Sequence, residues 1–347
     1  GIQPDADTLQ RAAQLYETVL CSPRRLRCTT FHAFCQDLLQ RFPLEAGGAP
    51  GFEVLEKAGQ LEQAAYDALL AESTRAPDHP VTQAHDRLAT GCDSLDSAQK
   101  ALRSFLAQRS DWWAWTAGET DPPAFAIDSL TDFLGIEPDT DPLGDYPTDM
   151  QRARHNEFAE LLHANTTKTN TGHAVLIESA QSQQLEGLAY LGKVTPAFLK
   201  QDGDPRKREP GPTQLKRLGT EREARFLALH EAGCAELLAL RDAIARRNSL
   251  ALNSAWYRAG NALLEHYQRI KREQRVFDFS DLEWLTCELL NHSEHAEWVQ
   301  YKLDARIDHL LVDEFQDTNP TVAAAAAASA RAGRRRYRTT ALGIPGG

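Results

Sequence analysis

The sequence predicts an α/β fold in which a parallel-sheet domain is interrupted by a large, mostly α-helical insertion. Three observations predict it. The chain opens on a helical, motif-like stretch that runs into the extended FEVL at 52–55. A long middle region follows with helical patterning. The chain then returns to a short apolar run, RIDHLLV at 306–312, bounded by acids, which reads as a buried strand of a parallel sheet.

Composition bounds the class. The 347 residues leave room for about two or three domains and a sizeable core. Hydrophobic residues at 42% and charged residues at 25% are ordinary for a soluble globular chain. No apolar run reaches the roughly 18 residues a membrane helix needs, and GIQPDADTLQ has none of the zones of a signal peptide. Six cysteines without regular pairing point to a reducing cytosol, hence a cytoplasmic protein with no membrane partner. The net charge of −11 excludes wholesale coating of nucleic acid but leaves room for a local groove.

The elements follow in order. Residues 8–21 carry apolar positions at helical spacing, and a basic turn, SPRRLRCT, comes next. Thr30 is placed to cap a helix whose stripe is Phe31, Phe34, Cys35, Leu38, Leu39 and Phe42, with Pro43 ending it. Cys21, Cys28 and Cys35 recur every seventh residue, a spacing that fits no common zinc site, and are expected to be buried thiols. From about Glu56 to Ser249 the pattern is helical, broken by TAGETDPPAF, GIEPDTDPLGDYPTD and KQDGDPRKREPGPTQ, with no internal repeat. Trp112, Trp113 and Trp115 have the composition of a base-stacking cluster, but only Arg109 lies near them, so helix packing is expected. A separate amphipathic helix is predicted over 253–272. VFDFSDLEWLTCELL then opens another, capped by Asp278 or Ser280, with Phe279, Leu282, Leu285 and Leu289 facing inward. A last helix ends near Leu303.

Chemistry concentrates at the end of the predicted strand. In open α/β sheets ligands bind at the carboxyl ends of strands, where Asp313 and Glu314 stand. One such carboxylate can hold Mg²⁺ through water while the other orients a water attacking a γ-phosphate. A solvated acidic turn is the alternative for two acids alone, and the longer string acid-acid-aromatic-Gln-acid after LLV is much harder to obtain by chance.

LLVDEFQDTN at 310–319 resembles motif II of superfamily 1 DNA helicases of the UvrD/Rep type, TTFHAFC at 29–35 resembles their motif Ib, and FDFSDL at 277–282 resembles the segment upstream of motif II. Within that group, TFHAFCQDLLQRFPLEAGGAPGFEVL and FLKQDGDPRK are most similar to the AddA/RecB helicase-nucleases. The resemblance implies an incomplete RecA-like P-loop domain: 1–55 its first part, 56–250 a helical insertion subdomain, 251–321 the return with the motif II strand, and 322–347 an aberrant low-complexity tail. It implies ATP and Mg²⁺ as cofactors, with Asp313 holding Mg²⁺ through water, Glu314 as catalytic base, and Gln316 near the γ-phosphate. Thr30, Phe31 and His32 would line a single-strand DNA path. It further implies single- and double-stranded DNA as partners, an AddB-like nuclease-linked partner protein, and a role in double-strand break repair and recombination.

Two features depart from that family. No GxxxxGK[ST] loop precedes Thr30, and the near match GLAYLGKVT at 187–195 puts Val194 where a hydroxyl is needed and follows polar residues instead of a strand. The motifs expected after motif II, the second motor domain and the nuclease domain are not found either. The 347 residues are therefore expected to be an internal fragment, inactive alone. After Thr321 the Ala- and Arg-rich tail drops every earlier pattern, as a change of reading frame near Thr321 would produce, or as a nucleic-acid-binding tail using Arg334, Arg335, Arg336 and Arg338 would. The competing function is a non-catalytic DNA- or partner-binding scaffold derived from the same fold.

Overall fold

Fourteen helices and a two-stranded parallel sheet make up the described part of the computed structural model, which covers residues 5–21, 28–47, 51–55, 57–137 and 140–304. The predicted strand at 306–312, Asp313, Glu314, Gln316 and the tail lie outside the described residues.

In chain order the elements are α1 (Ala6–Cys21), α2 (Phe31–Arg41), β1 (Glu53–Val54), α3 (Gly59–Arg75), α4 (Pro80–Gly91), α5 (Leu95–Ala107), α6 (Arg109–Trp115) and α7 (Pro122–Leu134). They continue with α8 (Asp149–Ala164), α9 (Lys168–Ser182), α10 (Gly187–Phe198), α11 (Pro212–Leu218), α12 (Thr220–Gln274), β2 (Val276–Phe277), α13 (Phe279–Asn291) and α14 (Ala296–Asp304). The chain falls into two compact units, one from 1–72, 103–115 and 262–347, the other from 73–102 and 116–261.

In the first unit, α2 packs on α13 and α13 on α14. Cys35, Leu38, Leu39 and Phe42 on α2 and its cap form one core with Leu282, Leu289, Leu290, Val299 and Leu303. The helix stops at Arg41 because Pro43 follows, and Phe42 closes it through its backbone N–H to the Leu38 carbonyl. FEVL supplies β1, which runs parallel to β2 with Glu53 opposite Val276 and Val54 opposite Phe277. In the same unit the start of α13 lies beside the start of α2, where His32 meets Phe279 and Glu283. By contrast α1 buries none of its residues, and Leu9, Leu15, Tyr16 and Leu20 are exposed.

The second unit has its own core. Phe158, Phe198 and Phe226 stack at centroid separations of 4.7 Å and 5.3 Å about Phe158, and the Arg208 guanidinium covers the rings of Phe158 and Phe226 at 5.4 Å and 5.1 Å. Cation–π contact of this kind lets a guanidinium sit within an aromatic core. Thr148 and Gln151 close a capping box at the start of α8, and Asp121 caps α7.

Three sequence expectations are corrected. The helix predicted over 253–272 is the last part of the 55-residue α12. Asn253 and Ser254 turn their side chains onto the carbonyls of Ser249 and Leu250 one turn back, so polar residues that resemble a break are absorbed by the helix. Of the three cysteines expected to be buried, only Cys35 is; Cys21, the last residue of α1, which buries none of its residues, and Cys28, which precedes the Thr30 cap, are exposed. Phe279, expected inward, is 43% exposed. It is the first residue of α13, a turn before the buried stripe that begins at Leu282, and so lies past the edge of the core.

Candidate nucleic-acid interface

Thr30 caps α2 as its sequence position predicts, its hydroxyl accepting from the Ala33 backbone N–H at 3.2 Å. This cap sets the first turn of α2, on which Phe31 is half-buried and tilted 6.3 Å from the Phe34 ring. His32 turns instead toward α13. Its Nε2 meets Glu283 Oε1 at 2.9 Å, and its ring lies 4.5 Å from that of Phe279. The His32 side chain is 40% exposed while that of Glu283 is 11% exposed, so a nearly buried carboxylate holds a partly solvated imidazole. Together Thr30, His32 and Phe279 present a hydroxyl, an imidazole and an aromatic face on one surface.

Behind this surface lies a network of buried charges. Asp278 caps α13 in a capping box with Asp281: each accepts the other's backbone N–H, at 3.1 Å and 3.0 Å. Asp278 also receives the Arg109 guanidinium on Oδ1, and on Oδ2 the Tyr267 hydroxyl at 2.8 Å and Lys271 Nζ at 3.1 Å. Asp281 receives Gln268 Nε2 at 3.0 Å and Lys271 Nζ at 2.5 Å. Burial pushes the Asp278 carboxyl up, but Arg109, Lys271 and the Tyr267 hydroxyl outweigh it, and the group sits below its ordinary value. Burial, with the adjoining Asp278 charge, raises the Tyr267 hydroxyl, so it remains a proton donor.

Other candidates resolve differently. Trp112 is buried against Phe105 at 4.9 Å and Trp113 packs on Trp284 at 5.5 Å, so two of the three tryptophans serve packing as expected. GLAYLGKVT forms the body of α10, with Val194 fully buried and Lys193 within the helix, not on a phosphate-cradling loop. Burial pushes the Cys35 thiol up to about 12, which makes it an inert core group. Among the described residues no cluster of three or more His, Cys, Asp or Glu side chains is arranged to hold a metal.

A family model for the UvrD/REP helicase N-terminal domain matches residues 9–328. The chain belongs to this family. The matched span carries the face built on Thr30, His32 and Phe279 of this UvrD/REP chain and the network behind it. Among its relatives, the ATP-dependent helicase/nuclease AddA of Limosilactobacillus fermentum is 26% identical over 339 residues, covering 84% of this chain and 24% of that protein. The AddA of Lactobacillus delbrueckii subsp. bulgaricus is 25% identical over 349 residues, covering 90% of this chain and 27% of its own length. The one from Desulfitobacterium hafniense is 43% identical over 54 residues, which is 16% of this chain and 4% of that protein. The UvrD/REP chain thus spans about a quarter of the length of the first two relatives.

Sequence reasoning named Thr30, Phe31 and His32 but missed Glu283, which holds His32, and the network of Arg109, Tyr267, Gln268 and Lys271. Asp278 was legible as a cap. Its buried partners were not, because they come from α6 and α12, whose sequences carry only ordinary helical spacing.

Proposed function

We propose that this chain is a part, inactive alone, of the motor of an ATP-dependent DNA helicase of the AddA helicase/nuclease type, which couples ATP hydrolysis to translocation on single-stranded DNA in break repair. The observation that carries the reading is the exposed His32–Phe279 pair, held by Glu283 at the capped start of α2, in a chain that belongs to the UvrD/REP family. Single-stranded DNA is bound without sequence preference by surfaces that combine phosphate donors with aromatic faces. The Thr30 hydroxyl can donate to phosphate, as can His32 Nδ1 when the imidazole is protonated, since Nε2 is taken by Glu283, and the Phe279 ring can support a base.

On this reading residues 1–55 and 251–321 belong to a RecA-like motor domain and 56–250 to its helical insertion. Asp313 is assigned to Mg²⁺ through water, Glu314 to deprotonation of the attacking water and Gln316 to the γ-phosphate side, all from their place in LLVDEFQDTN. ATP with Mg²⁺ would supply the free energy for stepping. A cytoplasmic location and a nuclease-linked partner protein complete the proposal.

The test is anisotropy of a fluorescein-labelled oligothymidylate titrated with the 347-residue chain and its variants. His32→Ala and Phe279→Ala should each weaken binding by about 1–3 kcal/mol, the range for loss of one stacked base. Affinities equal to wild type in both variants would remove this surface from the DNA path. A chain that binds oligonucleotide through this surface, but whose full-length form turns over no ATP, would support the scaffold function instead.

A further inference from the structure

The buried cluster behind the interface is a charge-neutral set of two cations, Arg109 and Lys271, and two carboxylates, Asp278 and Asp281. Lys271 has a side-chain exposure of 1%, and its ammonium bridges the carboxylates at 3.1 Å and 2.5 Å while lying 4.2 Å from the centre of the Tyr267 ring. All four carboxylate oxygens accept at least one hydrogen bond, from donors on α6, α12 and the start of α13. Burying four charges is a poor route to stability, since well-packed apolar residues of the same volume often do as well or better. What such a cluster supplies is a fixed geometry, because each oxygen has an assigned donor in a defined direction.

The position of the cluster determines what that geometry serves. Asp278 and Asp281 bracket Phe279 and form the first turn of α13, and Glu283 follows two residues later. We propose that Lys271 is a positioning residue for the nucleic-acid face: by clamping both carboxylates it fixes the first turn of α13, and with it the Phe279 ring and the Glu283 carboxylate that orients His32. The inference rests on the proposed role of the His32–Phe279 surface and names the part of the fold that holds it in place.

The experiment uses the full 347-residue chain with the paired substitution Lys271→Met and Asp281→Asn. The pair removes one charge of each sign and leaves an amide oxygen to accept the Asp278 backbone N–H. Circular dichroism establishes folding. NMR then reads the ring-current shift that Phe279 imposes on the His32 imidazole protons, and anisotropy reads affinity for labelled oligothymidylate. Positioning predicts displaced His32 resonances and an affinity loss of about tenfold or more in a folded variant, comparable to losing one stacked contact. A folded variant with unchanged His32 resonances, or with unchanged affinity while His32→Ala and Phe279→Ala bind more weakly, overturns the proposal, because a purely structural role moves neither. Should the pair fail to fold, Tyr267→Phe is read in the same two ways, since it removes only the 2.8 Å donor to Asp278. His32→Ala and Phe279→Ala are measured alongside. If both bind like wild type, the nucleic-acid reading fails and the His32 resonances alone decide the positioning claim; if both lose affinity and the Lys271 pair does not, only the positioning claim fails.

Discussion

His32 shows how much a single side chain depends on residues far away in sequence. Alone on a helix start, a histidine is most simply a capping or surface group. Here Thr30 performs the capping, and His32 is committed to Glu283, 251 positions along the chain. The motif TTFHAFC makes His32 legible from sequence; nothing in the sequence around Glu283 marks it, since it reads as one more acid on an amphipathic helix. Phe279 was legible as part of a motif but misplaced, because helical spacing alone does not reveal where the core ends. At this scale the prediction for hydrolysis concerns Glu314. In an intact polypeptide of the relatives' length, Glu314→Gln should abolish DNA-stimulated phosphate release while leaving binding of a fluorescent ATP analogue in place. Phosphate release at the wild-type rate would take the role of base away from Glu314.

Helices were the most legible elements, and their ends more so than their lengths. Thr30, Asp278 and Pro43 each act at the boundary their chemistry dictates. The 55-residue α12 was read as more than one helix because Asn and Ser have poor helical propensity, a penalty of tenths of a kcal/mol that tertiary packing overrides. The same helix offers a test of packing against propensity at Gly233. Replacing an interior helical glycine by alanine normally gains about 1 kcal/mol. At this position an added Cβ would stand 2.2 Å from Phe198 Cε1. That ring cannot move aside: it is fully buried, 4.7 Å from Phe158 and 6.1 Å from His230. Overpacking costs about 1–3 kcal/mol, so Gly233→Ala should lower the melting temperature despite its better propensity. A raised melting temperature would show that the core is looser than its ring distances imply.

At the scale of the whole chain, the middle predicted to be mostly helical between Glu56 and Ser249 is so: helices α3 to α11 and the first half of α12 fill it, joined by non-helical connections such as 199–211. The second unit's buried polar groups were illegible. His155, His173 and His230 look like scattered surface residues in sequence, yet each is buried, and burial, reinforced by nearby arginines, lowers each from 6.5 to about 4. Between those values the unfolded chain takes up protons that the folded chain refuses. Stability should therefore fall as the pH is lowered through the window from about 6.5 to about 4. Glu236, raised by burial, works in the opposite direction, but it is one group against three. Asp278 adds its own loss only below its ordinary value of 3.8. Thermal melts followed by circular dichroism should show a melting temperature that declines across the histidine window, and a flat profile there would mean that these histidines are solvated. The proposed interface needs a separate and more direct measurement. An oligothymidylate carrying 5-iodouracil is irradiated with the chain, and the cross-linked peptides are mapped by mass spectrometry. Attachment at Phe279, His32 or Phe31 is the predicted result, and cross-links confined to peptides that contain none of these residues would contradict a DNA path over the α2–α13 face.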